Sequence, residues 1–224
     1  MRVANHPDPQ ASIPLIMNKF TLLATALAGV VFASGTAQAN IVADPSFELG
    51  DGGTSPWTQA SSNFGTPLCT VGVCGTGNGS GPRTGDWWAW FGGSLTLETG
   101  SVSQSITLLD GTSTLSFWFE NTIAASTQDF IEARIDGNTV WRYDAGGALS
   151  GLGGYSQITV DLSTFGAGAR LLEFYSVSGN NGTTNFFVDD VSVVTAPVPE
   201  PATYGLMALG LAGLMLASRR SLRG

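Results

Sequence analysis

Three sets of side chains in this sequence have the chemistry to act on another molecule. The first is aromatic: Gly85-Asp86-Trp87-Trp88-Ala89-Trp90-Phe91-Gly92 holds three indoles and a phenyl ring in eight residues. Sugar rings stack through their C–H faces on flat aromatic side chains, so a polysaccharide platform needs such a cluster. In strand alternation Trp88 and Trp90 share one face, while Trp87, Ala89 and Phe91 share the other. At least one set must then be core, which leaves Trp87 and the isolated Trp57 as candidates for an exposed stacking surface. The second set is Cys69 and Cys74, both in a glycine-rich stretch, which suit a disulfide closing a small loop. Zinc is the rival, but a tetrahedral ion wants further ligands and residues 40–198 hold no histidine to supply them. The third set is Asp129, Glu132 and Glu173, since a pair of carboxylates is enough for glycosidic cleavage. Each lies in or beside an alternating strand, where the ordinary reading is an outward charge.

What is missing narrows the chemistry further. His6 and Lys19 are the only histidine and lysine, and both precede residue 40. A serine or cysteine nucleophile would lack its base, and a metal hydrolase would lack imidazole ligands, so no enzyme is expected. Between residues 40 and 198, Arg83, Arg134, Arg142 and Arg170 face fifteen acidic residues. Nucleic acid would be repelled by that balance, and divalent cations are the more natural partners.

The elements that must position these residues are strands. Val102, Gln104, Ile106 and Leu108 alternate on one face, and Leu115, Phe117 and Phe119 on another, with Gly111 in the turn between. That pattern predicts an antiparallel hairpin. Phe130 to Ile135 and Thr139 to Tyr143 flank Asp136-Gly137-Asn138, whose Asp-Gly chemistry predicts a second hairpin. Ile158, Val160 and Leu162, then Leu171 to Val177, then Phe186 to Val194 supply the remaining strands. Gly50 to Arg83 is dense in Gly, Thr, Ser and Pro with isolated Trp57 and Phe64, so it reads as a long surface excursion clipped by the cysteines. Function on β scaffolds usually sits in loops of that kind. The fold class expected is all-β, an antiparallel sandwich over residues 40–195.

The two ends have other grammars. Lys19 precedes the apolar run Phe20 to Gly35, and Ala37-Gln38-Ala39 offers the small residues a signal peptidase accepts. A signal peptide over residues 1–39 is expected, cleaved after Ala39, with Met17 as the true start and a long leading region as the alternative. At the other end, residues 196–224, Val198-Pro199-Glu200-Pro201 precedes an apolar run from Ala202 to Ser218 and then Arg219, Arg220 and Arg223. The run has about the minimum length for a transmembrane helix, and the arginines would mark its cytoplasmic side. Pro199-Glu200-Pro201, an apolar helix and a terminal basic cluster in that order resemble the PEP-CTERM sorting signal of Gram-negative bacteria. The resemblance implies a transient inner-membrane tether, cutting by an exosortase near the Pro-Glu-Pro element, and delivery to the cell surface or extracellular matrix.

A second resemblance covers the middle. Asp44-Pro45-Ser46-Phe47-Glu48, Trp57, Leu115-Ser116-Phe117-Trp118-Phe119 and Phe187-Val188-Asp189-Asp190-Val191-Ser192-Val193 look like the galactose-binding-like jelly rolls of carbohydrate-binding modules. By that resemblance the sandwich is a jelly roll whose first and last strands, carrying Ser46-Phe47-Glu48 and Asp189-Asp190, lie side by side. It also implies a structural calcium ion (Ca2+) held by Glu48 with Asp189 or Asp190, against the plainer reading of strand-end carboxylates facing water. Asp44 stands where the family commonly has Asn, and the cysteine loop is an addition. The function implied is a non-catalytic exported protein that binds exopolysaccharide, the alternative being a structural or adhesive matrix component with no glycan ligand.

Overall fold

The computed structural model describes residues 38–196, 205 and 207–215. The expected leader up to Ala37, with Met17 and Lys19, lies outside the described residues, as do Pro199, Glu200, Pro201, Arg219 and Arg220. In chain order the strands are β1 (Thr58–Ser61), β2 (Leu68–Thr70), β3 (Trp87–Gly92), β4 (Glu98–Leu108), β5 (Thr112–Ile123), β6 (Phe130–Ile135), β7 (Asn138–Asp144), β8 (Ser156–Asp161), β9 (Gly168–Ser178) and β10 (Asn185–Ala196). One helical turn, α1 (Val71–Cys74), follows β2. Residues 207–215 are also helical, and no helix among the described residues is long and apolar enough to cross a membrane. The expected span from Ala202 to Ser218 falls partly outside those residues.

Two five-stranded sheets form, ordered β1-β4-β9-β6-β7 and β2-β3-β10-β5-β8, and every pairing within them is antiparallel. The expected all-β sandwich is what the chain builds. Alternation in β4 turns Val102, Gln104, Ile106 and Leu108 inward, and in β5 it turns Leu115, Phe117 and Phe119 to meet them. Rings from both sheets lock edge to face across the middle: Phe117 lies 4.9 Å from Phe174 of β9, and Phe119 lies 5.1 Å from Trp141 of β7. Such aromatic contacts add about 0.5–1.5 kcal/mol each beyond the area they bury.

The hairpin expected at Gly111 does not form. β4 pairs with β1 and β9, whereas β5 pairs with β10 and β8, so the turn carries the chain from one sheet to the other. Both strands bury one face, but against each other across the sandwich rather than side by side. The second hairpin does form: Ile135 pairs with Asn138, and Asp136 (φ 50°) and Gly137 (φ 78°) make the two-residue turn between them. Gly50 to Arg83 also departs from expectation, because it contributes β1 and β2 as the outer strands of the two sheets and buries Leu68 and Trp57.

Candidate functional site

The segment that opens the domain lies against its last strand, as expected, but as bends and turns rather than a strand. Val191 donates its N–H to the Pro45 carbonyl at 2.8 Å, and the Ser46 hydroxyl donates to Asp190 at 2.6 Å. Phe47 takes a left-handed conformation (φ 61°) that turns its ring into the core, fully buried, 5.0 Å from Trp57. A phenyl ring there holds a strained backbone because the burial outweighs the cost. Trp57 donates its indole N–H to the Asp44 carbonyl at 2.9 Å and is 3 % exposed, so it has no face to offer a sugar. Trp87 is half-buried: its ring packs against the core, and Gly50 lies so close that a Cβ there would sit 2.7 Å from Cζ2.

Glu48, Asp189 and Asp190, the carboxylates expected to supply calcium ligands, each hold the chain near residues 83–87. Glu48 accepts the backbone N–H groups of Asp86 and Trp87, each at 3.1 Å. Asp189 is fully buried and accepts the N–H groups of Arg83 (2.7 Å), Thr84 (3.1 Å) and Asp190 (2.7 Å). Burial pushes its carboxyl up to about 7, against the pull of those donors. Asp190 pairs with the Arg83 guanidinium and accepts the Ser46 and Thr84 hydroxyls. Burial works to raise the Asp190 carboxyl, but these donors and the guanidinium outweigh it and hold it below the ordinary carboxylate value. An arginine takes the cationic role here, and among the described residues no group of three acidic, cysteine or histidine side chains is gathered for a metal.

The cysteines are joined, with Cα atoms 5.9 Å apart. The disulfide anchors a glycine-rich strap, residues 75–86, that crosses the outer face of the second sheet. Beneath it Trp88 and Trp90 stack at 6.3 Å, with the Phe187 ring edge-on to both. Thr122 and Asn185 donate to the Gly77 carbonyl, Ser80 N–H donates to Glu120, and Tyr155 donates to the Gly81 carbonyl at 2.7 Å. The tryptophan-rich run is therefore buried on both faces: Ala89 and Phe91 belong to the sandwich core, and Trp88 and Trp90 lie under the strap.

Three half-buried rings of the sheet faces are capped by cations. Arg83 lies 3.6 Å over Trp118, Arg134 lies 4.0 Å over Tyr175, and Arg142 lies 3.8 Å over Phe130. The carboxylates weighed for catalysis are engaged as well. Asp129 is buried and accepts the N–H groups of Gly179 and Asn180, Glu132 pairs with Arg134 and Arg142, and Glu173 pairs with Arg134.

One aromatic residue among those described is left open. Phe64 is 58 % exposed and stands at the lip of a shallow cleft of about 480 Å³ along β1. Asp51, Ser55, Gln59 and Thr66 supply its polar lining, with Gly52, Gly53 and Gly65 keeping it open. The Thr66 hydroxyl donates to Gln59, whose amide in turn donates to the Gly50 carbonyl, so that wall is set before anything binds. Ser55 accepts the Trp57 N–H and keeps its own proton free to donate. Of these residues, the sequence marked Phe64 and Trp57 as the isolated rings of the excursion. Nothing in the pattern separated the buried one from the exposed one.

Comparison with known proteins agrees with both halves of this picture. Residues 197–220 match the PEP-CTERM protein-sorting motif, which implies export, cell-surface localisation and processing by an exosortase. No curated protein sequence matches the chain. Among solved structures, the carbohydrate-binding module TmCBM61 in complex with β-1,4-galactotriose shares 17 % identity, with 70 % of this chain and 99 % of that one covered and a TM-score of 0.51. The K2 cleaved adhesin domain of Lys-gingipain shares 13 % identity over 72 % of this chain and 100 % of its own, TM-score 0.46. A family 16 carbohydrate-binding module shares 17 % over 69 % and 99 %, TM-score 0.41. The chain thus joins a jelly-roll β-sandwich, similar in fold to the carbohydrate-binding module TmCBM61, to a PEP-CTERM sorting motif.

Proposed function

We propose that this is a non-catalytic cell-surface protein whose sandwich binds a glycan in the cleft beside β1. The observation that carries the reading is Phe64: its ring is exposed, whereas every other ring of the described domain is buried or half-buried, three of the half-buried ones beneath an arginine. A bare phenyl ring costs free energy in water, and next to Asp51 and Ser55 it has the composition of a sugar subsite: one flat apolar face and a few fixed polar groups. The carboxylates weighed for glycosidic cleavage are tied into hydrogen bonds and ion pairs away from this cleft, which favours binding over turnover.

The test is affinity electrophoresis of the full chain through gels containing the producing cell's exopolysaccharide, with Phe64→Ala beside wild type. Retardation of wild type that is lost in the variant supports the reading. Equal mobility of both, with and without polysaccharide, removes it. A structural matrix role would then take its place, visible as altered cell aggregation on deletion together with blank glycan arrays.

A further inference from the structure

We infer that the cleft selects an uncharged sugar residue presenting neighbouring hydroxyls, and that acidic polysaccharides are excluded from it; this rests on the glycan-binding reading above. The argument begins from the cations. Recognition of a carboxylate or sulfate on a sugar needs a guanidinium or ammonium with donors to spare. The described domain holds four arginines and no lysine, and each arginine is already committed. Arg83 pairs with Asp190, Arg134 with Glu132 and Glu173, Arg142 with Glu132 and Asp144, and Arg170 with Asp136. Three of the four also have a face laid against an aromatic ring. Freeing one for a ligand would strand at least one carboxylate, partly buried in the case of Glu132 and Asp190.

The cleft itself adds a carboxylate. Asp51 is exposed at its wall and makes no hydrogen bond or ion pair within the described residues, unlike Glu48, Asp129, Glu132, Asp189 and Asp190. A carboxylate accepts through two oxygens, and two adjacent sugar hydroxyls donate at that spacing. Phe64 supplies the apolar face and the Ser55 hydroxyl a donor for a ring or hydroxyl oxygen. A uronate or sulfated sugar would instead set like charge against Asp51, in a domain where acidic residues outnumber arginines fifteen to four.

The experiment is the full chain run against immobilised neutral polymers (galactan, xylan, dextran) and acidic ones (alginate, polygalacturonate, a sulfated glycan), each at low and high ionic strength and with calcium or chelator. Retention on a neutral polymer, insensitive to salt and weakened about tenfold by Asp51→Ala, is the expected result. Asp51→Arg is expected to gain retention on the acidic polymers that wild type lacks. Asp51 is exposed, so unchanged melting temperatures are expected for both variants. Retention of wild type on an acidic polymer, whether salt-sensitive or calcium-dependent, overturns the neutral-sugar inference and leaves glycan binding standing. Neutral retention that Asp51→Ala does not touch overturns the role given to Asp51. Retention on no polymer at all overturns both readings.

Discussion

Replacing Gly79 by alanine tests whether the strap is packed onto the tryptophans or merely passes over them. Gly79 is not in the left-handed region, so alanine meets no backbone penalty there and the effect is steric. A Cβ at that position would lie 2.6 Å from Cε2 of Phe187 and closer still to the Thr122 methyl. Neither neighbour can retreat easily: Phe187 is fully buried edge-on to Trp88 and Trp90, and the Thr122 hydroxyl is held by the Gly77 carbonyl. Forcing a methyl into a packed site costs about 1–3 kcal/mol. At roughly 3 °C per kcal/mol for a domain of this size, the melting temperature should fall by about 3–9 °C. Gly72→Ala, inside the neighbouring disulfide loop and 4.0 Å from its nearest neighbour, is the control and should stay within about 0.5 kcal/mol of wild type. Thermal unfolding followed by circular dichroism gives the comparison, and a red shift in tryptophan emission should accompany it as the strap lifts from Trp90. Equal melting temperatures for the two variants would refute the claim that the strap is a packed layer.

Other consequences can be measured on the same protein. Opening the disulfide with Cys69→Ser and Cys74→Ser together should cost about 2 kcal/mol by loop-closure entropy for so short a loop, read as a lower denaturation midpoint. Asp189 is more readily protonated in the folded chain, where burial holds its carboxyl near 7, than in the unfolded chain, where its ordinary value is 3.8. Its contribution to stability is therefore complete below about pH 4 and is lost as pH rises through about 7. Asp189→Asn should flatten that slope in melting temperature, and an unchanged slope would count against the assignment. Phe64→Ala should leave the melting temperature within error while abolishing glycan retardation, because the ring is exposed and supports no core contact. Millimolar calcium should not raise the melting temperature above that in chelator, since Arg83 already neutralises Asp190.

Strand faces were legible in the residues, while strand neighbours were less so. Alternation reports which side of a strand is buried, and for Val102 to Leu108 and Leu115 to Phe119 it placed the buried faces correctly. It does not report what covers that side, which is why a turn between two sheets looked like a hairpin at Gly111. At Asp136-Gly137 the turn chemistry itself specifies the connection, and there the expectation and the structure coincide. The same limit applies to the tryptophans. Period two separated Trp88 and Trp90 from Ala89 and Phe91, but a strap distant in character and poor in hydrophobic residues buries the outer set. Trp57 and Phe64 differ in neighbours that only folding supplies: Phe47 and the Asp44 carbonyl for one, open solvent for the other. The ion pair of Arg83 with Asp190 was not legible either, because the two residues are remote in sequence and no local pattern connects their charges.

The position of β10 has a mechanical consequence. It is the central strand of its sheet, hydrogen-bonded to β3 on one side and β5 on the other, and it runs directly into the segment matched by the sorting motif. A pull applied through that segment is directed along the strand, so the ladders on both flanks bear the load together and must shear rather than peel one bond at a time. A domain loaded through its middle strand resists unfolding better than one loaded through an edge strand.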